Sequence, residues 1–487
     1  MEAILDIFEI AIAWVFAALV LIIGGLATLH ILLTKNDGRS AIAWIGFVLL
    51  VPFFGGLAYL LFGINRVRRQ AQRIRIRRGL DERRDILNTP PGQRLEQLWP
   101  NTPGRWAAHA HLASRVAKRE LTSGNRVKPL TGGRIAYDEM IEAINQATSS
   151  IALTTYIFQA DQAGRRFVTA LKRANERGVK TRVLVDSIGN LYGFRPVINL
   201  LKRHGIPVAS FNSFRLSSRL AFFNLRTHRK LLVVDGNIGF AGGMNIRADH
   251  LEQSDGSQRI RDTHFKLEGP VVAQLMDAFA DDWLHTTGED LDDPIWTVDP
   301  KPHEHGIVAR GIPDGPDERI PKTSTILMSA LSAARDHIQI VTPYFMPDND
   351  LLRALSLAAF RGVKVDILVP SKSNLPFISL ASQAYFPELL AAGCRIWQGS
   401  APFDHSKLMV IDTNWCLFGS SNWDARSLRL NFEFNVELYA ENIPEDIHNE
   451  ITSRFNAAIE VPSDFWTKRG ILKRLASRFF WLLGPYL

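Results

Sequence analysis

The sequence predicts an α/β protein: two similar lobes related by a pseudo-two-fold axis, preceded by a transmembrane helical hairpin. Three observations predict it. Two long apolar runs open the chain, from Ile10 to about Leu33 and from about Ala41 to Ile64. The rest alternates segments of helical and strand-like spacing, as α/β proteins do. One pattern of His, Lys, Asp, Gly and Asn then occurs twice at the same spacing.

Neither apolar run contains Asp, Glu, Lys or Arg. About 20 apolar residues cross a bilayer core as a helix, and both runs exceed that. The link Lys35-Asn36-Asp37-Gly38-Arg39-Ser40 is a turn sequence. A cleaved signal peptide fits less well, because its leading region should be basic and this one carries Glu2, Asp6 and Glu9. Arginines follow at once, at 66, 68, 69, 73, 75, 77 and 78. Basic clusters beside a span mark the cytoplasmic side and favour anionic headgroups, so both chain ends and the soluble bulk are expected in the cytoplasm. Breakers at Thr89-Pro90-Pro91-Gly92 and Trp99-Pro100-Asn101-Thr102-Pro103-Gly104 suggest a linker, and His109 and His111 there, read as surface residues, receive no role. The expected division is a two-helix anchor over 1–65, a basic linker over 66–120, lobes over 121–300 and 301–465, and a basic amphipathic segment over 466–487.

The lobes read as copies. In the first, a helical stretch over Tyr137–Ser150 precedes the strand-like Ile151–Phe158, and a second helix ends at Arg177-Gly178-Val179-Lys180 before the strand Thr181–Asp186. In the second, helical Thr323–Arg335 precedes Ile338–Phe345, and the next helix ends at Arg361-Gly362-Val363-Lys364 before Val365–Val369. The same tetrapeptide closes the same helix in both, with Gly as the expected stop. Alternating strands and helices predict largely parallel pairing. Asp299-Pro300-Lys301-Pro302 marks the boundary.

The repeated motif is His228-Arg229-Lys230, four residues, Asp235, six residues, then Gly242-Gly243-Met244-Asn245. Its twin is His405-Ser406-Lys407, Asp412 and Gly419-Ser420-Ser421-Asn422 at identical spacing. Residues i and i+2 of a strand share a face, so each imidazole projects with an ammonium. Leu231–Val234 and Leu408–Ile411 are wholly apolar, as a buried strand requires. Two imidazoles, the ammoniums of Lys230 and Lys407, and the amides of Asn245 and Asn422 would surround one phosphate. The lysines and amides offset charge on its nonbridging oxygens. One neutral histidine attacks phosphorus, and the other, protonated, serves the leaving and incoming alcohols. Asp262 and Glu433 are candidates to orient the imidazoles. Asp235 and Asp412 complete the candidate catalytic set or instead organise the motif strand. No metal ligand set is called for.

This doubled motif resembles the signature of the phospholipase D superfamily. The anchor, the basic stretch, Thr342-Pro343-Tyr344-Phe345-Met346-Pro347-Asp348, and Asn422-Trp423-Asp424-Ala425-Arg426-Ser427 running on to Asn431-Phe432-Glu433 resemble bacterial cardiolipin synthases. The resemblance implies metal- and cofactor-independent transfer of a phosphatidyl group between two phosphatidylglycerols, releasing glycerol, with His228 as nucleophile and His405 as acid/base. One departure is Trp423, where a smaller aliphatic residue is common.

Composition agrees with phosphate-bearing partners: 487 residues carry a formal net charge of +8. Anionic phospholipid and the bilayer are expected rather than nucleic acid, because much of the basic charge sits beside the apolar runs and no aromatic–basic platform for bases is evident. A phospholipase D or headgroup-exchange enzyme would share the same motif residues, as would a nuclease of the superfamily. Cys394 and Cys416 form neither a disulfide framework nor a zinc set. From Phe465 the chain is basic and amphipathic, fitting an interfacial helix or a terminal helix docked on the core.

Overall fold

The computed structural model describes residues 2–35, 37–63, 95–189, 196–212, 226–252, 258–316, 320–482 and 484. The arginine cluster at 66–78 and the breakers at 89–92 lie outside the described residues. Contacts divide the chain into an N-terminal unit and a larger unit holding both lobes.

In the N-terminal unit the first run is one helix, Glu2–Thr34, of which Ile10–Thr34 is long and apolar enough to cross a membrane. The second run departs from the expected continuous span. It is a helix over Gly38–Leu50, a break at Val51, a short helix over Pro52–Ala58 and a π-turn over Tyr59–Gly63. Pro52 has no N–H to donate and its ring would collide with the carbonyl of Val48, so the helix stops and restarts with proline in its first turn. The chain then doubles back. Trp44 and Tyr59 rings lie 5.4 Å apart, whereas fifteen residues of continuous helix would separate them by about 22 Å. Gly55 permits the approach, since a Cβ there would lie 2.5 Å from the carbonyl oxygen of Phe47. Tyr59 also reaches His30 Nδ1 at 2.8 Å, so Gly63 returns toward the level at which the first helix ended.

In the larger unit the lobes share one continuous sheet. The first lobe orders its strands Thr122–Thr131, Thr263–Glu268, Ile238–Gly242, Leu231–Val234, Ser150–Thr155, Lys180–Asp186, Val208–Phe211. The second runs outward the same way: Ile307–Asp314, Asn431–Tyr439, Trp415–Gly419, Leu408–Ile411, His337–Val341, Lys364–Pro370, Arg395–Gly399, with Ala458–Glu460 at its edge. Thr122–Thr131 and Ile307–Asp314 pair antiparallel and join the halves. Along this strand order, the expected largely parallel pairing holds for Ser150–Thr155, Lys180–Asp186 and Val208–Phe211 and for their counterparts His337–Val341, Lys364–Pro370 and Arg395–Gly399. The motif strands pair antiparallel on both sides, and on one side a short turn connects each to its successor.

The repeated Arg-Gly-Val-Lys has a purpose beyond its glycine. Arg177 donates to the carbonyls of Ile144 and Ala147 at 3.1 and 3.0 Å, and Arg361 donates to those of Leu331 and Ala334 at 2.9 and 3.4 Å. In each lobe the arginine thus satisfies carbonyls at the end of the preceding helix. Gly178 and Gly362 take φ of 88° and 89°, which a side chain would resist. Aspartates open the matching helices: Asp161 accepts from Gly164 N, and Asp348 from Leu351 N.

Within the stretch read as a linker, Gly104–Ala117 is a helix whose Trp106 is fully buried in the core of the second lobe, stacked on Trp415. His109, expected at the surface, is buried. Its Nδ1 lies 2.9 Å from Ser329 Oγ and its Nε2 3.4 Å from Glu437. Glu437 also pairs with the buried Arg310.

The fold-back gives a distance test. In membranes, the double variant Trp44→Cys, Tyr59→Cys should be linked by a short bifunctional thiol reagent, read by mass spectrometry of linked peptides. A continuous second helix would keep these positions too far apart and give no link.

Candidate active site

Each motif histidine is placed by the opposite lobe. Arg226–Thr227 pairs in parallel with Asn431–Phe432, and His228 N donates to the Phe432 carbonyl at 2.8 Å. The mirror image holds: Phe403–Asp404 pairs with Ile260–Arg261, and His405 N donates to the Arg261 carbonyl at 2.8 Å. The histidines and lysines themselves lie on extended bridges leading into Leu231–Val234 and Leu408–Ile411, rather than in the regular strands expected. The two-residue periodicity survives. Lys230 Nζ donates to the His228 carbonyl at 2.6 Å, and Lys407 Nζ lies 3.0 and 3.1 Å from the ring nitrogens of His405.

The carboxylates cross over. Glu433 of the second lobe holds Nδ1 of His228, both oxygens at 3.0 Å. Asp262 of the first lobe holds Nδ1 of His405 at 2.9 Å. Glu433 also accepts from Ser420 Oγ at 2.5 Å and Asn431 Nδ2 at 3.3 Å, and Asp262 accepts from Thr263 N at 2.8 Å. The alternation of Gly and Ser within the motif follows from this crossing. A Cβ on Gly243 would lie 2.8 Å from an Asp262 oxygen, while Ser420 supplies a donor to Glu433 instead. Gly419 allows close backbone packing, since a Cβ there would meet the Phe434 carbonyl at 2.4 Å.

Asp235 and Asp412, counted in the candidate catalytic set, lie apart from the imidazoles at the far ends of the motif strands, about 23 Å along the chain at strand rise. Asp235 accepts from the backbone N–H of Thr148, Ser149 and Ser150, and Asp412 from those of Arg335, Asp336 and His337. They tie the motif strand to the turn that starts the neighbouring strand. Both sit at positive φ, 49° and 53°, which aspartate tolerates better than most residues.

Asn245 and Asn422 are buried, the former accepting from Ile157 N at 3.1 Å, the latter with a carboxamide oxygen that has no partner among the described residues. The sequence reading missed four contributors. Tyr156 and Tyr344 stand edge-on to His228 and His405 with centroids 5.2 and 6.2 Å away, and both follow matching strands, a signal available in the repeat. Arg229 donates to the Glu433 carbonyl and pairs with Asp282, while Arg454 pairs with Asp404 and donates to Thr263 and Ser406. These arginines strap the backbone around each histidine, and no local pattern announces Arg454.

Burial dominates the electrostatics. It lowers His228 to about 4, opposed by Glu433 and reinforced by Lys230, and takes His405 well below its ordinary value, with Lys407 and Lys230 adding to the shift. Each imidazole therefore feels the lysine of the other lobe, as one shared cluster requires. Lys230 falls to about 7 and Lys407 to about 8, again through burial, with Glu433 and Asp262 opposing. The carboxylates differ. Burial raises Asp262 to about 6, whereas for Glu433 the charges of His228 and Lys230 and the hydrogen bonds overcome burial and hold it below the usual range. With Nδ1 committed to a carboxylate, Nε2 is the nitrogen each imidazole can offer to a reacting atom. Among the described residues, no group of three or more His, Cys, Asp and Glu side chains is placed to hold a metal ion.

Comparisons with known proteins agree along the chain. The family model described as cardiolipin synthase, PLD-like domain, matches residues 140–283 and 327–459, and a phospholipase D-nuclease N-terminal model matches 12–63. Cardiolipin synthase 1 of Bacillus cereus is 31% identical over 476 residues, covering 94% of this chain and 91% of its own length. The cardiolipin synthase of Geobacillus thermodenitrificans is 31% identical over 456 residues, covering 93% and 90%. Among solved structures, the phosphatidylserine synthase of Haemophilus influenzae superposes with a TM-score of 0.61 at 13% identity, covering 78% of this chain and all of that one, a likeness of fold. By the two matched halves and by identity across nearly its whole length, the chain belongs to the cardiolipin synthase family of the phospholipase D superfamily.

Proposed function

We propose that this phosphatidyltransferase joins two phosphatidylglycerol molecules into cardiolipin and glycerol through an enzyme-bound phosphohistidine. The observation that carries the mechanism is the pair of crossed carboxylate–imidazole contacts, each with a buried lysine beside its histidine. Lys230, Lys407, Asn245 and Asn422 hold the phosphodiester, and the ammoniums offset charge that grows on its nonbridging oxygens. His228 Nε2 attacks phosphorus, the bond to the glycerol oxygen breaks, and His405 gives that oxygen a proton. The hydroxyl of a second phosphatidylglycerol then returns a proton to His405, attacks phosphorus and breaks the P–N bond. Atoms balance without nucleotide. Glu433, held ionised, is the better partner for the imidazole that gains positive character on phosphorylation, which supports His228 as nucleophile. Asp262 steadies His405 through both proton transfers, and Asp235 and Asp412 are read as strand ties.

The protein is membrane-associated, by its apolar N-terminal helix and its family. The fold-back after Pro52 supports one crossing plus a re-entrant segment, in place of two crossings. Lys35 and Arg39 lie at the end to which Gly63 returns, and the arginines at 66–78 follow, so the positive-inside rule puts that face and the lobes in the cytoplasm, with the N-terminal end across the membrane.

Purified protein in phosphatidylglycerol vesicles, with chelator and no nucleotide, should yield cardiolipin and one free glycerol per molecule. His228→Ala and His405→Ala should yield neither. Phosphatidic acid with glycerol but no cardiolipin would instead make the protein a phospholipase. Glu433→Gln should keep lipid binding but lower kcat about 10³-fold, because the imidazole loses its charged partner. An unchanged kcat would remove Glu433 from the mechanism. Lys230→Met should abolish turnover while raising the unfolding temperature. The sign follows from burial: Lys230 binds its proton less tightly folded than unfolded, so its presence costs stability fully below pH 7, and the cost fades as pH rises toward 10.5. Melting curves from pH 6 to 10 should show the variant's advantage shrinking along that range.

A further inference from the structure

The C-terminal helix Ile471–Leu482 packs in an inverted sense. A helix closing a globular core turns its apolar stripe inward. Here Ser477 is fully buried and bonded to Arg469, and Phe480 meets Phe377 at 6.3 Å beside the cluster of Met346, Ile378 and Ala381. The apolar side chains point the other way. Ile471, Leu472, Leu475, Phe479 and Leu482 are 63%, 79%, 58%, 59% and 64% exposed. At 3.6 residues per turn they fall within about 100° of the circumference, opposite Ser477. Among the described residues, nothing lies against this apolar strip.

Its borders say what covers it. From Phe465 to Leu482 there is no acidic residue, and Lys468, Arg469, Lys473, Arg474 and Arg478 supply five cations. Arg474 and Arg478 lie over the ring of Trp466 at 5.6 and 5.5 Å, and Arg478 also over Trp481 at 5.5 Å. Apolar residues on one face, with cations and tryptophans along its flank, match the layers of an anionic bilayer surface: acyl chains, phosphates and the boundary zone.

We infer that this helix is a second membrane contact, lying in the plane of an anionic bilayer with its apolar strip among the acyl chains and its cations on the phosphates. The contact is coupled to the candidate site. Phe480 shares a cluster with Tyr344, and Tyr344 stands edge-on to His405, so the helix holds the His405 side of the site toward the surface from which lipid arrives. The choice of lipid as partner rests on the reading of the substrate given above.

The full chain can be reconstituted in phosphatidylglycerol vesicles with an environment-sensitive fluorophore at Leu475→Cys, Phe479→Cys or Lys473→Cys, since Cys394 and Cys416 are buried. Quenchers on lipid acyl chains should dim positions 475 and 479 severalfold more than 473, and aqueous iodide should give the reverse order. Adding Leu472→Glu to the 475- or 479-labelled chain should abolish the pattern. Equal access of iodide to all three positions would overturn the inference. So would protection of 475 and 479 without quenching from lipid, which would mean a protein partner. The same pattern in His405→Ala would separate membrane contact from catalysis: a failed catalytic reading leaves it intact.

Discussion

Everything at the centre of this molecule depends on two hydrogen bonds that cross between lobes: Glu433 to His228 and Asp262 to His405. Neither lobe owns a complete imidazole–carboxylate pair. The lobes must therefore be held in register to within hydrogen-bond tolerance, and several devices do so at once. The central strands pair edge to edge, short parallel bridges fix Arg226–Thr227 and Phe403–Asp404 onto the opposite lobe, and Arg229 and Arg454 bind the carbonyls and carboxylates around them. Buried polar networks of this kind are rigid when every member is satisfied.

The same cluster is a burden on stability. Two lysines and two carboxylates are buried around the two histidines, and all four of these lysine and histidine groups are pushed toward their neutral forms by burial. Under the proposed mechanism, a phosphodiester seated at the lysines would supply the missing negative charge, favour the protonated ammoniums and raise the imidazoles toward the range where proton transfer is useful. On that mechanism the balance of charge in the site would be completed by the anion it binds.

Much of this was legible in the sequence because it is periodic. The two motifs, the apolar strands behind them and the twin Arg-Gly-Val-Lys stops all repeat at fixed spacing, so the two-lobe α/β architecture followed. Contacts between distant residues carried no such signal. Asp262 and Glu433 were recognisable as candidates, but which ring each meets depends on how the sheets join. Asp235 and Asp412 share the motif's spacing, and only the hydrogen bonds to the neighbouring turn separate them from the imidazoles. The fold-back was partly legible: Pro52 and the pair Gly55-Gly56 are local signals, yet average hydropathy over the run conceals them. His109 looked like a surface residue because its partners, Ser329 and Glu437, lie more than 200 residues away.

The exchange of carboxylates also bears on ancestry. A single lobe of this design would be competent only as a symmetric dimer, each copy lending its acid to the other's base through an isologous interface. Fusion of two copies into one chain lifts that symmetry. Once the halves are covalently distinct, one can carry glutamate with a serine donor and the other aspartate beside glycine, and the two imidazoles can drift toward different proton affinities. Division of labour between nucleophile and acid is thus a freedom that tandem duplication grants and a homodimer withholds.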